Sequence, residues 1–362
     1  MKTKILFLVP YPHGWSPSQR FRLEQYLPAL NSTQYEWTME SFWSLRSWQG
    51  LFIKGKTVHK ILSMLRGYTR RFFVLFSISS YKFVFIHREA APLGPPVIEW
   101  IIRHIFRKKI IYDFDDAIWL KDNPQESVLF EWLKWRSKVQ SICRWSFAIS
   151  AGNEYLCEYA RRFNSHVFYN PTTIDTEHLH NPALFARNVD PTRITIGWTG
   201  SHSTLKYLKQ VEPVLHRLML RFDSLTFVCV ADRPPEIEIP RMQFVPWSKE
   251  TEIQALVNID IGIMPLPDDE WANGKCGFKA LQYMALQKAT VASPVGVNTS
   301  IIQPGVNGFL ASTEADWENY LTLLITNKML REQMGQRGRQ RVEESYSVVS
   351  NTPLFLSLFE IK

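Results

Sequence analysis

Three carboxylates stand close together in YDFDDAIWL, at Asp113, Asp115 and Asp116. Groups this near repel one another, shift each other's proton affinity and, at the end of a strand, accept hydrogen bonds from ligand hydroxyls. A D-x-D pattern also suits Mg²⁺ or Mn²⁺, and a third reading makes the three the residues that cap and turn the chain after the strand. The other chemical stretch runs from Ile259 to Ala311. A buried strand ends at Pro265, a loop with Asp268, Asp269 and Glu270 follows, and a helix starts near Gly277 after Lys275 and Cys276. The free N–H groups of that helix start, with Lys275 and Lys279, make a site for a diphosphate, and the small residues there permit close approach. A second strand, ATVAS, ends in the glycine loop Pro294-Val295-Gly296-Val297, so two such loops can grip one ligand.

These groups need elements that bring strand ends together. KILFLVP, YEWTME, YKFVFIH, KKIIYDF and SFAIS read as strands, with helices after Ser16-Pro17, from Pro95 to Arg107, and over VLFEWLKWRSKVQSICRW. PTTIDTEHLHNPALFARNVDP lacks sustained periodicity and reads as a linker. RITIGW, LTFVCVA, MQFVPW, IDIGIMP, KATVAS and NGFLA then restart the alternation. The expectation is an α/β chain of two Rossmann-like, doubly wound domains: residues 1–175, a linker at 176–191, and residues 192–340, with a C-terminal helix in 341–362 packing back on the first domain. Ligands of such sheets sit beyond the carboxyl ends of the strands. Candidates there are Gly14, Arg20 and Arg22 after the first strand, His87, Arg88 and Glu89 after the third, and Gly200, Ser201, His202 and Lys206 at the start of the second domain.

The chain has 362 residues, too many for one ordinary core, with 45% apolar and 21% charged residues. Residues 1–175 hold 24 Lys and Arg against 14 Asp and Glu, so the excess positive charge is confined to the first half. No nucleic-acid motif accompanies the pI of 9.2, which argues against a specific nucleic-acid partner. Cys143, Cys157, Cys229 and Cys276 form no C-x-x-C pair and suggest reduced, buried thiols in a cytoplasmic protein. The apolar run near the amino terminus is too short for a signal peptide, and FFVLFSISSYKFVFI reads as a helix end followed by a strand, not a membrane span. Residues 54–76 mix Lys54, Lys56, Lys60, Arg66, Arg70 and Arg71 with apolar residues at helical spacing. They read either as an interfacial helix resting on an anionic membrane surface or as a core helix with a basic outer face.

The segment QYMALQKATVASPVG, with NGFLA after it, resembles the donor-binding signature of the retaining glycosyltransferases of family 4, which have the GT-B architecture. That resemblance implies two domains facing across a cleft and a metal-independent enzyme without a cofactor. Such an enzyme passes a sugar from a nucleotide-diphosphate sugar to an acceptor hydroxyl; the basic and aromatic character of the first domain points to a carbohydrate or lipid-linked acceptor, in envelope polysaccharide or glycolipid synthesis. The resemblance places Gln282 where the family has a ribose-binding glutamate and Gly274 where it has a sugar-binding one, leaving Asp268, Asp269 or Glu270 to take over the sugar contacts. Ser201 stands in place of a diphosphate-binding arginine and Lys206 in place of its lysine. A flexible loop at Gly14 would close over the ligands. A sugar-nucleotide epimerase of the same fold and a non-catalytic nucleotide-sugar-binding scaffold are the rival expectations, and peripheral attachment to the inner face of the cytoplasmic membrane goes with the glycosyltransferase reading.

Overall fold

The computed structural model describes residues 2–51, 53, 55–121, 126–188 and 190–360, so Lys54 lies outside the described residues. The chain divides into two compact units, Met1–Thr172 with Thr352–Lys362, and Thr173–Asn351.

The first unit is built on β1 (Thr3–Val9), β2 (Tyr35–Ser41), β3 (Phe83–His87), β4 (Lys109–Phe114), β5 (Ala148–Ala151) and β6 (Val167–Tyr169). They form one sheet in the order β2-β1-β3-β4-β5-β6 with every pair parallel. Helices on both faces hide the central strands, which is why β3 is an unbroken run of buried residues instead of an alternating one. The second unit repeats the plan with β7 (Ile194–Gly200), β8 (Leu225–Ala231), β9 (Met242–Pro246), β10 (Ile261–Met264), β11 (Ala289–Ala292) and β12 (Phe309–Leu310), in the order β12-β11-β10-β7-β8-β9. In each sheet the winding reverses once, between β1 and β3 and between β7 and β10, and such a reversal opens a crevice at the carboxyl ends.

Two elements depart from the sequence reading. β6 is a short edge strand, paired only to β5 and half-buried, too brief to leave a pattern. The helix expected over VLFEWLKWRSKVQSICRW is two helices, Val128–Lys134 and Lys138–Trp145, because Trp135 takes a left-handed backbone (φ 50°) that ends the first.

Residues 352–360 belong to the first core. From the helix Val348–Ser357, Phe355 stacks on Tyr26 with ring centroids 4.4 Å apart. Phe359 meets Phe7 of β1 and Phe85 of β3 at 6.1 and 6.2 Å. Both phenylalanines are buried, so removing one leaves a cavity among aromatic rings. Phe359→Ala is expected to cost about 3–5 kcal/mol, read as a lower denaturant midpoint in a tryptophan-fluorescence titration.

Candidate functional site

At the crevice of the first unit the side chains spend most of their bonding capacity on one another. β4 carries Asp113 to its carboxyl end, fully buried. Arg22, from the helix Pro17–Arg22, places its guanidinium against Asp113 Oδ1, donates through Nε to Oδ2 at 3.4 Å, and caps the carbonyl of Asn170. Ser150 Oγ of β5 donates to Oδ1 at 2.6 Å, and His87 Nδ1 of β3 meets Oδ2 at 2.7 Å. His87 Nε2 in turn meets Ser18 Oγ at 3.0 Å. Burial alone would raise the Asp113 carboxyl, but Arg22 and the bonds from His87 outweigh it and the proton affinity falls below the usual carboxylate range. An ionised Asp113 requires the proton on His87 Nδ1, which leaves Nε2 to accept from Ser18. The order hydroxyl, imidazole, carboxylate is that of a hydrolytic triad, but here the charge of Asp113 is paired with Arg22 inside the same knot.

These contacts correct three expectations. Asp113 does not face a ligand; it is the buried anion of this knot. Arg22, a candidate ligand contact by its place after β1, is instead 1% exposed and bonded to Asp113. Asp115 and Asp116 are both bonded by Arg88, Asp115 through Nε at 3.0 Å, and Arg88 holds Asp115 well below the carboxylate range against the opposing effect of burial. Arg88 itself has a left-handed backbone (φ 60°), with its carbonyl bonded by Tyr112 Oη at 2.7 Å. Gly14 lies in a loop that is tied down: its N–H donates to both oxygens of Glu24, at 3.0 and 2.8 Å, and Gln19 bridges Tyr11 and Glu24. Arg20 is buried with its guanidinium over Phe21. Sequence reasoning singled out His87 by position alone; nothing in the sequence joins it to Ser18, 69 residues away.

The second unit gathers its loops around one helix start. Gly277 caps the helix Phe278–Ala285 with φ 69°, and a Cβ there would lie 2.2 Å from Ile301 Cδ1, so the position suits only glycine. Gly296 (φ 53°) brings the second loop against the first: its N–H donates to Asn273 Oδ1 at 3.1 Å, and a Cβ would stand 2.8 Å from the Asn273 carbonyl. Tyr283 Oη accepts from Thr199 N–H at 2.9 Å, pinning the same helix to the end of β7. Lys279 Nζ lies 5.4 Å from the Trp198 ring centre and Lys275 Nζ 4.7 Å from that of Trp271, both half-buried. Cys276 is buried and Phe278 half-buried. After β7, Gly200 is followed by exposed Ser201 and His202; His202 bonds Asp232 at 2.6 Å through Nδ1, and Ser201 Oγ meets Ser203 Oγ at 2.8 Å. Lys206 is exposed, against the Tyr207 ring. A hollow of about 660 Å³ adjoins these loops, lined in part by Ile301, Asn307, Arg337 and Arg341.

Two further residues take structural places. Asp269 is the N-cap of Glu270–Asn273, accepting from Ala272 N–H at 2.7 Å, while Glu270 is exposed at that helix's first turn. Gln282 is fully buried, its amide nitrogen 2.9 Å from Glu252 Oε1 and 3.2 Å from His180 Nε2. Among the described residues no group of three or more His, Cys, Asp and Glu side chains is arranged to hold a metal ion.

Residues 236–341, within the second unit, match the family model described as Glycosyl transferases group 1. The whole chain resembles several solved structures. Sucrose-phosphate synthase from Thermosynechococcus elongatus is 12% identical with a TM-score of 0.72, covering 99% of this chain and 98% of that one. HepE of Anabaena, solved with UDP-glucose, is 14% identical with a TM-score of 0.68 and covers 99% of both chains. A glycosyltransferase from Rickettsia africae is 13% identical with a TM-score of 0.67, over 99% and 98%. No curated protein matches the sequence. At such identities the likeness carries the fold, which is GT-B, with two Rossmann-like units in one chain.

The Asp113 knot makes a direct prediction. A carboxyl whose affinity for protons is lowered by folding stabilises the fold above its unfolded pKa of about 3.9, and that contribution fades as pH falls through the folded value. Asp113→Asn strands Arg22 in the interior and is expected to cost about 3–5 kcal/mol at neutral pH. Thermal unfolding from pH 7 down to pH 2 should show the gap between wild type and variant closing at the acid end.

Proposed function

We propose that the protein is a glycosyltransferase that passes a sugar from a nucleotide-diphosphate donor to an acceptor hydroxyl with retention of anomeric configuration. One observation carries the reading: the glycine-gated helix start at Gly277, flanked by Lys275 and Lys279, lies inside the segment that matches the group 1 family. The positive end of a helix and two cations are what a diphosphate leaving group needs as it gains charge. Lys206 and the polar Ser201-His202 turn, beside β10 in the sheet order, serve the same phosphates.

The reaction breaks the bond between C1 of the donor sugar and the diphosphate oxygen and forms a bond from C1 to the acceptor oxygen. The acceptor's proton passes to the departing phosphate on the same face, so no second carboxylate is called for. Charge on the diphosphate is met by Lys279, Lys275 and the helix start, without a metal. Glu270, Asp268 and Asp269 are the acidic groups proposed to meet the sugar, since Gly274, which ends the Glu270–Asn273 helix, carries no side chain. The proposed setting is envelope polysaccharide or glycolipid synthesis on the cytoplasmic face of a membrane, with the chain peripheral to it. No helix among the described residues is long and apolar enough to cross one.

A thermal-shift panel of nucleoside diphosphates and their sugars, with and without EDTA, tests the donor site. UDP and UDP-sugars head the panel because HepE was solved with UDP-glucose. A bound donor at a hundredfold excess over its Kd should stabilise the fold by about 2.7 kcal/mol, equally in EDTA. No shift with any nucleotide overturns the donor site, and a shift abolished by EDTA overturns metal independence. Lys279→Ala is expected to lower kcat about a hundredfold with the fold intact; an unchanged kcat removes Lys279 from leaving-group stabilisation.

A further inference from the structure

The helix Thr57–Ser77 of the first unit turns its apolar side outward. Its buried residues, Ser63, Gly67, Arg71 and Leu75, recur every four positions and so form one stripe. Only Leu75 in that stripe is a large apolar residue. Val58, Ile61, Leu62, Leu65, Phe72, Phe73 and Phe76 lie on the other side and are exposed, Phe76 by 70%. The inversion has a cause. Arg71 reaches inward to three carbonyls, donating to Ala90 O at 2.7 Å, Glu40 O at 2.8 Å and Val9 O at 2.7 Å. Gly67 admits the Phe42 ring, since a Cβ there would lie 2.5 Å from it. With the polar stripe fixed inward, helical periodicity sends the apolar stripe to the surface.

A second element adjoins it. The helix Val128–Lys134 buries none of its residues, and Val128, Leu129, Phe130 and Trp132 are all exposed, Val128 by 82%. Both helices are tied to one loop: Tyr68 Oη donates to the Leu93 carbonyl, and Gly94 N–H donates to the Leu133 carbonyl at 2.7 Å. Val97 and Trp100, on the helix that follows this loop, are exposed as well. A monomer in water rarely exposes so many adjoining large apolar side chains.

We infer that these two helices form an insertion surface for an anionic lipid bilayer. Charge selects this occupant. The Thr57–Ser77 helix exposes Arg66, follows the exposed Lys56, and has no acidic residue; Lys60 is half-buried, and Arg70 is half-buried and donates to the Ser41 carbonyl at 2.9 Å. A second copy docking on the same face would set these cations against their own likeness, whereas anionic head groups complement them. Phe72, Phe73 and Phe76, with ring centroids 5.3–6.3 Å apart, enter the acyl boundary as a cluster, and Trp132 and Trp135 sit at head-group level. Arg71, grouped by sequence with the basic residues of this stretch, is not among the lipid-facing charges; burial pushes its proton affinity down to about 9. The inference deepens the peripheral placement proposed above but is independent of the transfer chemistry, because binding is read without donor or acceptor.

The experiment is flotation of the purified chain with vesicles of phosphatidylcholine alone and with phosphatidylglycerol added, alongside its oligomeric state by light scattering. Wild type is expected to float with the anionic vesicles. The triple variant Phe72→Ser, Phe73→Ser, Phe76→Ser should lose more than about tenfold in partition while keeping its unfolding temperature, since these rings face water. Lys56→Glu with Arg66→Glu should lose about fivefold per charge on anionic vesicles only. Absence of wild-type flotation overturns the inference, and a dimer that the phenylalanine variant dissociates would then assign the face to a second copy. Equal flotation by wild type and the triple variant also overturns it.

Discussion

Parallel strands deliver their last carbonyls and side chains to a single edge, and in the first unit that edge is closed by one buried ion pair, Arg22 with Asp113. Taking both charges out of water is costly, and the cost is offset only because Ser150, His87 and the Asn170 carbonyl fill the remaining bonding positions. Everything nearby takes its place from this pair. Arg22 fixes the helix that follows β1, Asp113 fixes the His87 tautomer, and Ser18 is the hydroxyl the network hands outward. The half-buried Arg88 with Asp115 and Asp116 forms the next layer toward solvent. The second unit reaches order by another route, with glycines at Gly277 and Gly296 letting two loops touch main chain to main chain.

Most strands were readable because a doubly covered sheet demands long apolar runs between turn residues, and KILFLVP or YKFVFIH meet that demand without context. β6 escaped because three edge residues, two half-buried and one exposed, impose no pattern. Trp135 gave no sign that it would adopt a left-handed backbone, since its helix propensity is unremarkable and the break comes from the fold around it. The site was readable where glycine spacing sets the geometry, at Gly277 and Gly296. It was misread where a charged residue's partner is distant in sequence. Asp113 and Arg22 are 91 positions apart, and each alone resembles a ligand-facing group. Gln282 is the same case in helical form: burial against Glu252 and His180 depends on which side of the helix faces the core, and a motif does not state that.

The Thr57–Ser77 helix shows the same limit for surfaces. Periodicity says that a helix has two unlike sides but not which one the protein keeps. Here Arg71 decides, because three main-chain carbonyls outbid the apolar stripe for the interior. A basic outer face on a core helix, the ordinary alternative, would have required the opposite rotation.

The aromatic packing of Phe355 and Phe359 bears on how the chain is made. A ribosome completes Met1–Thr172 long before residues 352–360 emerge, and the whole of Thr173–Asn351 is synthesised in between. At about 5–20 residues per second that interval is on the order of ten to forty seconds. Throughout it the nascent first unit lacks two rings of its core, leaving Tyr26, Phe7 and Phe85 incompletely covered. The second unit, contiguous in sequence, is free to fold as it leaves the exit tunnel. Although synthesised last but one, it is the unit that can finish first, and the earlier half of the polypeptide completes its core only when its own tail arrives.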